Sequence, residues 1–101
     1  MRVIMFLRPT NLRGTKGAYT TFRKALLSHG FTLVQPEVFL ASVRTRRAAE
    51  HLVAQMRDVV PETGSVCALV LTERQYASIT YLVGGPSYQE LAVNQQGNVN
   101  L

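Results

Sequence analysis

The chain has 101 residues, 47% of them hydrophobic and 17% charged, and its 11 Lys and Arg against 6 Asp and Glu give a formal net charge of +5. The length fits one compact domain, and the composition excludes a disordered chain. No run reaches the ~20 consecutive apolar residues of a transmembrane helix, and no signal-peptide pattern begins the chain, so we predict a cytoplasmic protein with no membrane partner. The positive charge predicts a polyanionic partner, with nucleic acid as the leading candidate.

Metal-binding and reactive side chains are scarce. The one cysteine, Cys67, lies in the apolar run 66–71, which predicts a buried small side chain rather than a nucleophile. A single cysteine excludes an internal disulfide and a zinc site made of several cysteines. The one aspartate is Asp58, and no carboxylate side chain precedes Glu37, so the first third of the chain carries only positive charge.

The first half of the chain predicts a strand, a helix and a pair of short strands. Residues 2–7 are apolar and β-prone without a break, as in a strand that is buried on both sides. From Thr15 to His29 apolar residues recur at helical spacing, and Gly30 supplies a C-terminal stop. Residues 31–35 and 37–43 are β-prone and predict an antiparallel pair.

The second half begins with another helix and strand. Thr45 can cap a second helix whose apolar stripe extends to Val60, and residues 65–71 form the next apolar strand. The segment Thr72-Glu73-Arg74-Gln75 has the spacing of a capping box, which predicts one helical turn. Residues 79–83 are β-prone and predict a fifth strand.

The order β-α-β-β-α-β with an additional C-terminal strand predicts an α+β, ferredoxin-like fold, in which both helices cover one face of an antiparallel sheet. We assign residues 1–85 to this core domain and residues 86–101 to a C-terminal tail, in which residues 90–93 are β-prone. The tail is either mobile or an arm that pairs with a partner subunit. The other face of the sheet stays open, and an uncovered apolar face predicts a homodimer.

Two sets of basic residues are candidates for phosphate contacts. The first set shares one side of the first helix and consists of Lys16, Arg23 and Lys24. Its alternative role is a solvated surface that only aids solubility. The second set stands at the start of the second helix and consists of Arg44, Arg46 and Arg47. The helix macrodipole disfavours cations there by about 0.3–1 kcal/mol each, whereas free N–H groups beside guanidinium groups suit a phosphate.

Several segments match one known family when they are taken together. They are 2–6, Pro9-Thr10, 18–27, Gly30-Phe31, Gln35, Val38-Phe39, 64–66 and 69–76. On these residues the chain resembles the CRISPR-associated protein two family, the small subunit of the spacer-acquisition machinery. The resemblance extends over about residues 2–84 and implies the same ferredoxin-like fold.

The resemblance also implies roles and partners. Members form a homodimer that bridges integrase dimers and helps to hold the duplex DNA that is inserted into the CRISPR array. Many are described as Mg-dependent endonucleases that use an Asp directly after the first strand. This chain has Leu7 at that position, which offers neither charge nor lone pair, followed by Arg8, which repels a cation and attracts phosphate. Glu37 is the residue that would substitute as a ligand.

We therefore predict a DNA-binding scaffold of CRISPR adaptation that is not an enzyme and needs no cofactor. The candidate phosphate contacts are Arg8, Arg13, Lys16, Arg23, Lys24, Arg44, Arg46 and Arg47. The alternative is a Mg-dependent endoribonuclease that recruits Glu37 or another acid across the dimer, or a toxin-like ribonuclease on the same fold. A third alternative is a dimeric interaction module whose charge only aids solubility.

Overall fold

A computed structural model describes residues 1–10, 15–87 and 89–92 of the chain. Four strands and three longer helices follow one another along these residues. They are β1 (Arg2–Arg8), α1 (Thr15–Ser28), β2 (Thr32–Gln35), β3 (Val38–Ser42), α2 (Arg46–Arg57), β4 (Ser65–Leu71) and α3 (Glu73–Ala77). No helix within the described part of the chain is long and apolar enough to cross a membrane.

The strands form one antiparallel sheet in the order β2-β3-β1-β4, which confirms the predicted α+β, ferredoxin-like fold. The central strand β1 pairs with β3 and β4, so that Val3 lies between Ala41 and Val70. Because side chains alternate along a strand, Val3 and its alternate neighbours point to the helices, whereas Ile4 and its alternate neighbours point to the opposite face.

The core lies between the sheet and the two long helices. Tyr19, Phe22 and Leu26 repeat at helical spacing on α1 and are fully buried. On α2 the buried side chains are Ala49, Leu52 and Met56. They pack against the β1 and β3 residues that point to the same face, namely Val3, Met5, Leu7, Phe39 and Ala41.

The predicted additional C-terminal strand is absent from the described residues. The capping box at Thr72 is present, and α3 ends at Ala77 with Ser78 as its C-cap. Residues 79–83 then form no strand, and residues 89–92, which include most of the other predicted β-prone run, are helical. Local capping explains the second difference, because Ser87 and Glu90 exchange backbone and side-chain hydrogen bonds as a capping box.

The second face of the sheet is partly covered by the chain that follows α3, and not open as predicted. Ile4, Phe6 and Leu40 line one wall of a cleft of about 370 Å³, and Ile79 and Tyr81 line the other. Partial burial here raises the pKa of Tyr81, and the negative charge of Glu90 acts in the same direction. Substantial apolar surface remains on this side, since Leu82 and Val83 are 92% and 93% exposed.

The beginning of the C-terminal tail is attached to the other edge of the sheet. Leu33 of the edge strand β2 donates its N–H to Gln89 and accepts a hydrogen bond from the Ser87 hydroxyl. Glu90 is only 4% exposed and accepts a hydrogen bond from the Tyr76 hydroxyl. These contacts satisfy polar groups of an edge strand that would otherwise face solvent. The prediction for residues 93–101 of the tail lies outside the described residues.

The strand β4 is an exposed edge strand, not a buried one. It pairs only with β1 among the described strands, and Cys67, Ala68 and Leu69 in its middle are exposed. The prediction that Cys67 is buried was therefore wrong. An unbroken apolar run does not distinguish a central strand from an edge strand whose free side is apolar.

Candidate nucleic-acid interface

The two ends of the central strand β1 organise the basic residues of the molecule. At its N-terminal end, Met1 and Val43 exchange two backbone hydrogen bonds, which places the start of α2 there. At its C-terminal end, the N–H of Leu7 donates to the carbonyl oxygen of Glu37 in the turn between β2 and β3. Strand β1 has seven residues and therefore spans about 20 Å at roughly 3.3 Å per residue.

The beginning of α1 is fixed at the C-terminal end of β1. The Tyr19 hydroxyl donates to the carbonyl oxygen of Thr63, which stands two residues before β4. Gly64 follows at a φ of +88°, where a Cβ atom would collide with the Tyr19 hydroxyl and lie 2.7 Å from the carbonyl oxygen of Arg8. Only glycine permits this close approach of backbone and side chain. The geometry fixes the first turns of α1, through the buried Tyr19, beside the end of β1.

A first group of predicted contacts consists of the last residue of β1 and three residues of α1, and we name it the α1 patch. It consists of Arg8, Lys16, Arg23 and Lys24. Arg8, Lys16 and Lys24 are exposed, as a phosphate contact requires. None of these three forms an ion pair within the described ranges. Arg13, the other predicted contact in this part of the chain, lies outside the described residues.

A second group follows Val43 at the opposite end of β1, about one strand length of 20 Å from Arg8, and we name it the α2 patch. It consists of Arg44, Arg46 and Arg47, all exposed. Thr45 is the N-cap of α2, and its side chain accepts a hydrogen bond from the N–H of Ala48, as the sequence predicted. No residue that the structure describes forms an ion pair with this patch. Its cations stand against the helix dipole without local compensation.

Arg23 differs from the other members of the α1 patch because a carboxylate already holds it. Its Nε and one terminal nitrogen donate to the two oxygens of Glu37 at 3.0 and 2.9 Å. Arg23 and Glu37 are 32% and 33% exposed at their side chains, so the pair is half-buried. The Arg23 guanidinium also lies 5.9 Å from the centre of the Tyr19 ring. The sequence analysis missed this pair, because a separation of 14 residues carries no periodic signal.

The position of the expected metal ligand lies in the core. Leu7 is only 6% exposed and belongs to the cluster of buried side chains between the sheet and the helices. Glu37, the predicted substitute ligand, uses both carboxylate oxygens for Arg23. No group of three or more His, Cys, Asp or Glu side chains in the described residues is placed to hold a metal ion. These residues do not fit a Mg²⁺ ion, which needs several oxygen ligands.

A second ion-pair network, which the sequence analysis also missed, lies at the N-terminal end of β1. Arg2 donates its Nε to both oxygens of Glu73 at 3.0 and 2.9 Å, and its guanidinium stacks 4.3 Å from the Tyr76 ring. The N-terminal ammonium group of Met1 lies 3.3 Å from the same carboxylate. The hydrogen bond from Arg2 lowers the pKa of Glu73 despite some desolvation, and the ammonium group lowers it further. The α2 patch therefore has a carboxylate nearby, but other cations use it.

Comparisons with known proteins identify the family of the chain. Residues 13–79 match the family model of CRISPR associated protein Cas2. A protein of Acidovorax ebreus named CRISPR-associated endoribonuclease Cas2 is 36% identical over 95 residues, which are 93% of each chain. Proteins of the same name from Parvibaculum lavamentivorans and Lacticaseibacillus rhamnosus are 38% and 34% identical over 82 residues, which are 81% of each chain.

Proposed function

The chain belongs to the Cas2 family, and we propose that it is the structural, DNA-binding subunit of the CRISPR adaptation complex. In this role a homodimer bridges integrase dimers in the cytoplasm and holds the duplex DNA that is to be inserted during spacer acquisition. The proposal concerns binding and positioning. It assigns no bond-breaking step to the residues of this chain.

The observation that carries the proposal is the pair of basic patches at the two ends of β1. Six exposed cations belong to them, namely Arg8, Lys16, Lys24, Arg44, Arg46 and Arg47, and none is paired with a described residue. Duplex DNA carries one negative charge per about 1.7 Å of its axis, so the length of β1, about 20 Å, that separates Arg8 from the α2 patch corresponds to roughly 12 charges. Two patches at this spacing can hold a duplex at two points through its backbone, without reading base edges.

Exposed apolar surface supports the homodimer. Strand β4 forms an edge of the described sheet, and its Leu69 side chain is 48% exposed. The same side of the chain also presents Leu82 and Val83 to solvent. Edge strands and contiguous apolar patches favour association, and residues 79–83 have the β-prone composition that could extend the sheet of a second copy. The two opposite ends of a dimer would then carry four basic patches.

A second candidate function is an endoribonuclease, which the names of the relatives favour. In the described residues, however, Leu7 lies in the core and Glu37 is bound by Arg23. Hydrolysis assisted by Mg²⁺ needs anionic oxygens that hold the ion against the phosphate. This candidate therefore requires carboxylates brought together in another arrangement, such as one across a dimer.

One experiment separates the two candidates. Purified protein is mixed with end-labelled single-stranded RNA and with fluorescent duplex DNA in the presence of Mg²⁺, and both the mass of the complex and the integrity of the nucleic acid are measured. We expect intact substrates, a free protein with the mass of two chains, and duplex binding that weakens steeply with salt. Cleavage that stops when a chelator is added would establish the ribonuclease, and no duplex binding at about 50 mM salt would reject the scaffold.

A further inference from the structure

We propose that Glu37 is an internal competitor of phosphate at Arg23, so that the chain weakens one of its own nucleic-acid contacts. The proposal rests on the proposed function and deepens it. It concerns a carboxylate inside the α1 patch, whose other three cations are free of ion pairs in the described residues. Because of this competition, Arg23 would contact a phosphate only after the neighbouring cations have bound the duplex.

The geometry of the pair supports competition. A guanidinium group presents a planar fork of donors that fits the two oxygens of a carboxylate or of a phosphate equally. Here the fork of Arg23 is filled by both oxygens of Glu37, with contacts of 2.8 to 3.0 Å. A phosphate that approaches the same fork must displace the carboxylate or share it. The site is half-exposed, so an incoming phosphate could reach it.

The backbone, and not the ion pair, holds Glu37 in position. Its φ is +66°, an unusual value for a residue with a side chain, and its carbonyl oxygen accepts a hydrogen bond from the N–H of Leu7 at 2.8 Å. Both features belong to the turn between β2 and β3. The Cα atom of Glu37 therefore stays near Arg23 when a phosphate displaces the carboxylate, so the carboxylate can return to the same fork and compete with the phosphate.

The competition between Glu37 and phosphate can be measured from the salt dependence of duplex binding. Each phosphate that a protein neutralises contributes about 0.9 to the slope of log K against log salt. With Glu37 in place, Arg23 should contribute little to that slope. When the negative charge of Glu37 is removed, Arg23 should become a full contact and the slope should steepen by about 0.9.

The test uses Glu37→Gln, which keeps the size of the side chain and removes its charge. The matched control is Asp58→Asn, because it changes the net charge equally at the exposed C-cap of α2, which belongs to neither patch and forms no ion pair in the described part of the chain. Affinity for a fluorescent duplex is measured from about 50 to about 200 mM salt. We expect the steeper slope in Glu37→Gln and the native slope in Asp58→Asn.

Arg23→Ala, alone and combined with Glu37→Gln, completes a double-mutant cycle for the pair. In the native background it should leave the slope nearly unchanged, and combined with Glu37→Gln it should abolish the gain. Glu37→Asn serves as a second variant, because asparagine tolerates positive φ and its shorter side chain has no charge; it should also steepen the slope. Thermal unfolding shows whether each variant is folded, and a purely structural ion pair would change stability without changing the slope.

The possible failures are distinguishable. Equal slopes for Glu37→Gln, Glu37→Asn and Asp58→Asn, with normal binding by the native chain, would overturn this inference and leave the proposed function standing. A loss of slope in Arg23→Ala as large as that in Lys24→Ala would overturn it too, because Arg23 would then already contact phosphate. If the native chain and every variant fail to bind at about 50 mM salt, both the inference and the proposed function are rejected.

Discussion

The α1 and α2 patches have similar composition but different electrostatic surroundings. In the α1 patch, Glu37 grips Arg23 with two hydrogen bonds. Near the α2 patch the corresponding carboxylate is Glu73, but it binds Arg2 and the N-terminal ammonium group instead of a patch residue. Glu37 therefore lowers the positive charge that the α1 patch offers to a partner, whereas Glu73 does not pair with the α2 patch. Which cations are available to a partner depends on pairing, and not on the number of basic residues.

The difference assigns the two patches unequal roles. The arginines of the α2 patch stand at a helix N-terminus, where both the macrodipole and their mutual repulsion are unfavourable unless an anion arrives. The α1 patch is anchored to the core through Leu7 and Tyr19 and is partly neutralised in advance. We expect the α2 patch to contribute more to duplex affinity than the α1 patch, which should contribute through Arg8, Lys16 and Lys24.

The largest expected effect tests whether the α1 end of β1 is a disabled metal site. Leu7→Asp should destabilise the protein by at least ~3 kcal/mol, because it removes buried apolar contacts and places a carboxylate in the core. The measurement is denaturant unfolding with and without Mg²⁺, and Leu7→Ala is the control for lost packing. We expect Asp to be worse than Ala and Mg²⁺ to change neither variant. Stabilisation of Leu7→Asp by Mg²⁺ would mean that this side chain reaches a metal site, and the account of a core residue would be wrong.

A smaller effect tests the α2 patch. Replacing Arg46 and Arg47 together by Ala should flatten the slope of log K against log salt by about 1.8, which corresponds to roughly 60-fold weaker duplex binding at about 0.1 M salt. The loss should be similar for unrelated duplex sequences, because phosphate contacts carry no base information. Salt titrations of the native and doubly substituted chains give both quantities.

The control for this prediction removes the same charge elsewhere. Arg57 and Arg74 are exposed and belong to neither patch, and their joint replacement by Ala lowers the net charge equally. We expect a slope close to the native value. If both double variants lose the same slope, duplex DNA responds to total charge, and the distinction between the patches and the remaining surface fails.

Sequence patterns predicted most of the fold because they depend on local periodicity. Thr45 and Thr72 were identified as caps from residue type and spacing, and both side chains make the expected hydrogen bonds. The apolar spacing of α1 likewise predicted the buried side chains of Phe22 and Leu26. The misplaced fifth strand shows the limit, since residues 79–83 have β-prone composition but find no neighbouring strand in the described chain. Strand formation depends on a partner that composition does not reveal.

The candidate site was less predictable for the same physical reason. The sequence identified two sets of basic residues but not how far apart they lie, because that depends on the antiparallel pairing that places Arg8 and the α2 patch at opposite ends of β1. It also missed that Glu37 neutralises Arg23 and that Leu7 points into the core. Each of these facts depends on contacts between distant segments. The alternation of side chains along β1 was a usable signal for Leu7, because Val3 and Met5 share its face.

The smallest expected effect concerns Glu73, the carboxylate that binds Arg2 instead of a residue of the α2 patch. The pKa of Glu73 is below its ordinary value of 4.5 because it accepts hydrogen bonds from Arg2 and lies beside the ammonium group. Its stabilising contribution should therefore be fully present above about pH 4.5 and should be lost as the pH falls through the lowered value. The side chain is 57% exposed, so solvent screening keeps this contribution small.

The difference in unfolding free energy between the native chain and Glu73→Gln isolates this contribution from the other carboxyl groups. It should be constant near neutral pH and should shrink as the pH falls through the lowered pKa of Glu73, because the protonated carboxyl group is neutral like the glutamine side chain. Duplex binding adds a second measurement at pH 7, where freeing Arg2 from its partner should leave the salt slope unchanged, since Arg2 is itself only 8% exposed. A steeper slope in Glu73→Gln would show that this carboxylate restrains the α2 patch as Glu37 restrains Arg23, and the contrast between the two ends of the sheet would disappear.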